Sequence, residues 1–239
     1  MTLRALIFDV DGTLAETEEA HRAAFNRAFA EAGLDWHWTR DMYRDLLNTT
    51  GGVERMGAYR ATLGTEVPSD ATLRDIHRAK TAIYGEMLAG GAVTLRPGVR
   101  DLIDGARARG VPCAVATTTS RPNVDALTQS AWGVPATGIF DVIATGEEVA
   151  AKKPAPDLFQ LALSRLDLPA DQAIAFEDSL NGLRSAQGAG LRVVVTPDFY
   201  TEHQDHSTAD WLVNSLMPAD LPDDLAHLLG VNAPIEMPS

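Results

Sequence analysis

Leu3-Arg4-Ala5-Leu6-Ile7-Phe8-Asp9-Val10-Asp11-Gly12-Thr13 opens with an apolar run that ends in two aspartates and a glycine. Leu3–Val10 reads as a strand buried on both faces, because the run is continuous where a half-exposed strand would alternate. Side chains alternate along a strand, so Asp9 and Asp11 project to one side and Val10 to the other. Gly12 then lets the backbone turn sharply. Two close carboxylates at a strand end repel unless a cation compensates them. The pair suits a metal ion, or a nucleophile beside a general acid. A capping aspartate followed by a turn aspartate is the structural alternative.

Similar short apolar runs recur at Val111–Ala116, Val142–Ala144, Ala173–Phe176 and Leu191–Val195, with helical patterns such as Val99–Arg109 and Pro156–Leu166 between them. Strand–helix alternation with buried strands implies an α/β fold with a Rossmann-like parallel sheet, in which ligands sit at the carboxyl ends of the strands. From Glu16 to about Thr94 the alternation stops and only helical stripes appear. One is Phe25, Ala28, Phe29 and Ala32, ended by Gly33; another is Leu73, Ile76, Lys80, Ile83, Tyr84 and Met87. This predicts a core domain over 1–15 and 96–239 with an all-helical insert over 16–95.

The chain has 239 residues, is 45% hydrophobic and carries a formal charge of −13. Such a composition supports a buried core, and such a charge repels nucleic acid phosphates and anionic lipids. Neither a nucleic acid nor a membrane is expected as a partner. No apolar run approaches the ~18 residues a membrane helix needs, and the N-terminus turns acidic at once, unlike a signal peptide. Cys113 is the sole cysteine, which excludes an internal disulfide and a cysteine zinc site. It is expected to be buried and inert. The reading is a cytoplasmic protein and a monomer, whose anionic ligand would need local cations. Lysine occurs only at Lys80, Lys152 and Lys153.

Three later strand ends add chemistry. Val115-Ala116 runs into Thr117-Thr118-Thr119-Ser120, a hydroxyl cluster that otherwise reads as a turn or N-cap. Lys152-Lys153-Pro154-Ala155-Pro156-Asp157 precedes a helix, where an ammonium can face a phosphate or simply water. Lys152 is expected to face solvent. Ala175-Phe176 runs into Glu177-Asp178-Ser179, a second acidic pair. With Asp9 and Asp11 it supplies the hard oxygens that Mg²⁺ prefers. Carboxylates, hydroxyls and a cation at four strand ends match phosphoryl transfer.

In this order, DVDGT, VATTTS, KKPAPD and FEDSLNGL resemble the four motifs of the haloacid dehalogenase-like phosphatases, and the helical insert resembles their C1 cap. The segments LAETEEAHRAAFN, TTGG, DIHRAKT, TTTSRPNV and EDSLNGLRSAQGAGLR are similar to the CbbY branch, near the β-phosphoglucomutases. The resemblance implies a Mg²⁺-dependent phosphatase that converts xylulose 1,5-bisphosphate, an inhibitor of Rubisco, to xylulose 5-phosphate through an aspartyl-phosphate. It implies Asp9 as nucleophile and Asp11 as acid and base, with Thr117 and Lys153 on the transferring phosphoryl group. The metal would be held by Asp9, the Asp11 carbonyl and Asp178, with Glu177 in or near its shell. A β-phosphoglucomutase, or another sugar-phosphate phosphatase of this family, is the alternative. A phosphorylatable switch without turnover fits the second acid, Asp11, poorly.

Substrate choice is expected in the insert. Lys80, on an apolar stripe, either snorkels or meets a substrate phosphate. Thr50-Gly51-Gly52 and Arg55 offer amides and a guanidinium for a distal phosphate, or form a helix–helix turn. His21, Glu18 and Tyr43 are further candidates in the insert, Thr118 and Thr119 in the core. Trp36 and Trp38 read as insert core.

Overall fold

The apolar opening run forms β1 (Ala5–Phe8), whose four residues are all buried. The structure is a computed structural model and describes residues 3–49, 51–64 and 67–231. The chain divides into one unit of Met1–Glu16 with Thr94–Ser239 and a second of Thr17–Val93. No described helix is long and apolar enough to cross a membrane.

In the first unit, α5 (Val99–Ala108) leads to β2 (Cys113–Thr117), α6 (Arg121–Trp132) and β3 (Val142–Thr145). Then follow α7 (Asp157–Leu166), β4 (Ala173–Glu177), α8 (Leu180–Gly188), β5 (Arg192–Val195), β6 (Trp211–Leu212) and α9 (Asp223–Leu229). The sheet order is β3-β2-β1-β4-β5-β6, and every pairing is parallel. The chain winds outward from β1 to β3 and then returns to the other side of β1. The order therefore reverses between β1 and β4, where a doubly wound sheet opens its ligand crevice.

The pleat sorts the core. Ala5 and Ile7 face the same way as Ala114, Ala116, Ala173 and Ala175, which pack with Leu158, Phe159 and Ala162 of α7 and Leu183 and Ala186 of α8. Small side chains on this face let the helices approach closely. On the other face Phe8 stacks on Phe176 with ring centroids 4.5 Å apart.

The second unit contains α1 (Glu18–Glu31), α2 (Arg40–Leu46), α3 (Gly52–Thr62) and α4 (Asp70–Ala89). The buried stripe of α1 is Ala20, Ala24, Phe25, Ala28 and Phe29. Ala32, expected on that stripe, is exposed at the C-cap, and Leu34 N–H bonds back to Phe29 O at 2.9 Å across Gly33. In α4 the expected Leu73, Ile76, Lys80, Ile83 and Tyr84 are buried, and the stripe ends on Leu88, with Met87 only partly covered. Trp38 is fully buried, while Trp36 is half-buried against the edge of Phe29. Asn26 clamps the Trp38 backbone, accepting from its N–H at 2.8 Å and donating to its carbonyl at 2.9 Å. Thr39 and Ser69 cap α2 and α4 by accepting from Met42 N and Thr72 N, both at 3.3 Å.

The apolar runs overstate strand lengths: β1 is four residues, not Leu3–Val10, and β2 begins at Cys113 rather than Val111. β6 is two residues long, too short for any periodic signal. Cys113 is 0% exposed, and burial, with Asp141 adding, pushes its thiol up to about 12. A thiol-specific chromogenic reagent at neutral pH is expected to find no reactive thiol in the folded chain and one per chain in concentrated guanidinium. Rapid reaction of the folded chain would show that this strand opens.

Candidate functional site

The register of β1 against β4 pairs Phe8 with Phe176. The next residue along each strand is Asp9 and Glu177, so the two acids emerge side by side on the sheet face opposite the stacked rings. Asp9 N–H bonds Phe176 O at 3.0 Å, which keeps Asp9 anchored just past the strand. Asp178 follows Glu177, and ligand oxygens of Asp9, Glu177 and Asp178 all lie within 4.8 Å of one another. All three are buried.

Two glycines make this convergence possible. Gly12 has φ +80°, and a Cβ there would lie 2.3 Å from Asp178 Oδ2. Gly182, in the first turn of α8, passes beneath Glu177; its Cβ would lie 1.8 Å from Glu177 Oε2. Any side chain at either position displaces an acid.

Lys153 lies between the acids, donating from Nζ to Asp9 Oδ1 at 2.5 Å and to Glu177 Oε1 at 2.6 Å. Its neighbour Lys152 is exposed. Thr117 ends β2, and its hydroxyl accepts from Thr119 N at 3.2 Å. Burial raises the Asp9 carboxyl above the usual carboxylate range, Lys153 opposing and Asp11 adding. Burial likewise pushes Glu177 up to about 8, again with Lys153 opposing and Asp9 adding. Burial works against the Lys153 ammonium, but Asp9 and Glu177 outweigh it and raise its pKa.

Burial disfavours ionisation of Asp9 and Glu177 together even with Lys153 bonded to both, and a further cation beside them would offset that cost. Glu177 Oε2 is buried with no hydrogen-bond partner among the described residues. A hard divalent cation such as Mg²⁺ fits this donor set. Asp11, half-buried just beyond, lies outside the three-carboxylate cluster.

The remaining sequence candidates fall in two places. Thr118 is exposed and Thr119 half-buried at the mouth of α6, where Thr119 Oγ1 accepts from Asn123 Nδ2 at 3.0 Å. Glu18, His21, Tyr43, Gly51, Gly52, Arg55 and Lys80 all belong to the helical unit. Thr50 lies outside the described residues. The hydroxyl of Tyr43 donates to Glu18 Oε2 at 2.9 Å and accepts from Arg55 Nη1 at 3.1 Å. Arg55 Nε also donates to Leu46 O at 3.2 Å. Lys80 is buried, with Nζ 2.6 Å from His21 Nδ1 and over the rings of Phe25 and Tyr84. Gly51 caps α3 and Gly52 is its first residue.

Two residues that hold the core site give no sequence signal. Arg96 donates to the carbonyls of Gly12, Thr196 and Pro197. Gln204 Oε1 accepts from Leu180 N at 2.7 Å. Each binds backbone groups brought near only by the fold.

A family model described as haloacid dehalogenase-like hydrolase matches residues 3–190. The chain belongs to that family, and it is a phosphatase. Within the family it is similar to CbbY proteins: it is 58% identical to Protein CbbY of Rhodobacter capsulatus over 92% of this chain and 96% of that one. The crystal structure of an Asp-to-Asn mutant of CbbY from Rhodobacter sphaeroides in complex with xylulose-(1,5)bisphosphate superposes with a TM-score of 0.83. It is 52% identical and matches 90% of this chain and 95% of that one. A β-phosphoglucomutase from Clostridium difficile, 17% identical, shares the fold with a TM-score of 0.75 over 96% of this chain and 98% of that one.

An acid whose pKa is raised by folding holds its proton more tightly in the folded state. Glu177 therefore supports the metal-free fold fully below pH 4.5 and loses that contribution as pH rises to about 8. The urea midpoint of the metal-free parent, relative to Glu177→Gln, is expected to fall across this window and level off above it. A difference independent of pH would overturn this account of Glu177.

Proposed function

We propose that the chain hydrolyses a sugar bisphosphate, xylulose 1,5-bisphosphate, to xylulose 5-phosphate and inorganic phosphate, and so removes an inhibitor of Rubisco. The observation that carries the reading is the buried Asp9–Lys153–Glu177 contact beside Asp178 at the sheet's switch point. The likeness to CbbY, which has been solved with xylulose-(1,5)bisphosphate, selects the substrate.

In this reading Asp9 attacks phosphorus through a carboxylate oxygen, and the bond from phosphorus to the sugar oxygen breaks. Asp11 gives its proton to that oxygen as the sugar leaves. Asp11, now a carboxylate, takes a proton from water as the water oxygen attacks the aspartyl-phosphate. Phosphate departs and Asp9 is restored. Lys153 orients Asp9 and offers positive charge to the phosphoryl oxygens, and Thr117 offers a hydroxyl. Asp9, Asp178, the Asp11 carbonyl and Glu177 are the residues that would hold Mg²⁺. When bound, the ion supplies positive charge against the charge on the transferring group.

Replacing Asp9 with Asn is expected to abolish phosphate release while leaving the thermal transition in place. Asp11→Ala is expected to lose at least about 10²-fold, the scale of general acid–base catalysis. A Mg²⁺-supplemented phosphate-release screen over pentulose and hexose mono- and bisphosphates checks both. Substantial turnover by Asp9→Asn would remove Asp9 as nucleophile.

The second phosphate of the substrate needs a cation on a chain of net charge −13. Arg55 and Lys80 of the helical unit are the proposed sources. Arg55→Ala and Lys80→Ala are each expected to lower kcat/KM for xylulose 1,5-bisphosphate about ten- to hundred-fold more than for xylulose 5-phosphate, the scale of a charge-assisted contact. Equal losses on the two substrates would make these residues packing elements of the helical unit.

A further inference from the structure

The loops that carry the two acidic pairs are both tied to a third segment, Thr196–His206, which leaves β5. The segment starts against one acid: Thr196 N–H bonds Glu177 O at 2.8 Å. From there Arg96 joins it to the Asp9–Gly12 loop, its guanidinium bonding the carbonyls of Thr196 and Pro197 on one side and of Gly12 on the other. At the far end Gln204 Oε1 accepts the Leu180 N–H at 2.7 Å, two residues beyond Asp178. Both acidic loops are thus held from one place.

The segment is itself stiffly built. Asp198 Oδ1 accepts from Tyr200 N at 2.8 Å and from Thr201 N and Oγ1, both at 3.1 Å. Asp198 N–H donates to Thr201 Oγ1 at 3.0 Å. Gln204 N–H donates to Thr201 O at 3.0 Å, and His206 Nε2 donates to the same carbonyl at 3.0 Å. Tyr200, Thr201 and His206 are buried.

The spacing it controls is tight. Because a Cβ on Gly12 would lie 2.3 Å from Asp178 Oδ2, a small shift of either loop alters the separation of Asp9 from Asp178. We propose that Thr196–His206 is a bracket that sets the separation of the two acidic loops, with Arg96 and Gln204 as positioning residues for the divalent cation held by Asp9, Glu177 and Asp178. The inference rests on the metal reading of that site.

Isothermal titration of Mg²⁺ into the whole chain tests it. Partners one shell out from metal ligands are typically worth ten- to hundred-fold in affinity. Gln204→Met, which keeps length but lacks the acceptor, is expected to weaken Mg²⁺ binding about tenfold or more. Its Leu180 amide should exchange faster with solvent. Gln204→Glu keeps an acceptor oxygen and is expected to restore slow exchange at Leu180 and to recover most of the affinity. Arg96→Lys keeps the charge, but an ammonium cannot reproduce the planar fork that spans three carbonyls; it too is expected to bind about tenfold more weakly, and it carries the test if Gln204→Met does not fold. Variants that fold and bind Mg²⁺ like the parent overturn the bracket. A parent chain that binds no Mg²⁺ overturns the metal reading beneath it, a separable result.

Discussion

Lys153 lies within 2.6 Å of two buried carboxylates, and a third, Asp178, stands beside them. A buried charge is tolerable only when paired and hydrogen-bonded, and here one ammonium is bonded to two acids at once. Burial raises the Asp9 and Glu177 carboxyls against the opposing Lys153 ammonium, and those two acids in turn raise the Lys153 pKa. A divalent cation beside the acids would offset that cost of burial. The surrounding structure has to hold this cluster in place.

The doubly wound sheet does much of that holding. All pairings are parallel, so every strand presents its carboxyl end on the same edge, and the order reverses between β1 and β4, from which Asp9 and Glu177 emerge. Alanines on one sheet face bring α7 and α8 close. Lys153 precedes α7, and Gly182 lies in the first turn of α8. Close helix packing and the glycines at 12 and 182 are thus parts of one requirement: three buried acids and one lysine brought together.

The helical unit repeats the theme more mildly. Its core is aromatic, and Lys80 enters it between Phe25 and Tyr84 with His21 at 2.6 Å. Glu18, Tyr43 and Arg55 form a second polar chain beside it. Polar side chains that the sequence scatters over some sixty positions are joined in these networks. Their proposed part in reading a second phosphate would use groups already oriented by one another.

The strand runs, the glycine after Asp11 and the stop in strand–helix alternation at Glu16 were legible because they are local: periodicity and backbone freedom are properties of neighbouring residues. The acids at the ends of β1 and β4, the hydroxyl after β2 and the Lys-Pro step were legible for the same reason. The partner of each was not. Lys153 meets Asp9 across 144 positions and Glu177 across 24, Gly182 is needed only because Glu177 lies over it, and Arg96 and Gln204 bind backbone groups that carry no side-chain signature. At the end of α4 Leu88 is buried where Met87 was expected, because residues three and four positions after Tyr84 share a helix face and only packing chooses between them. Residue order determined which groups stand at which strand ends. Strand register and the β1/β4 reversal decided which of them touch, since those distances are set by packing between segments that no local pattern encodes.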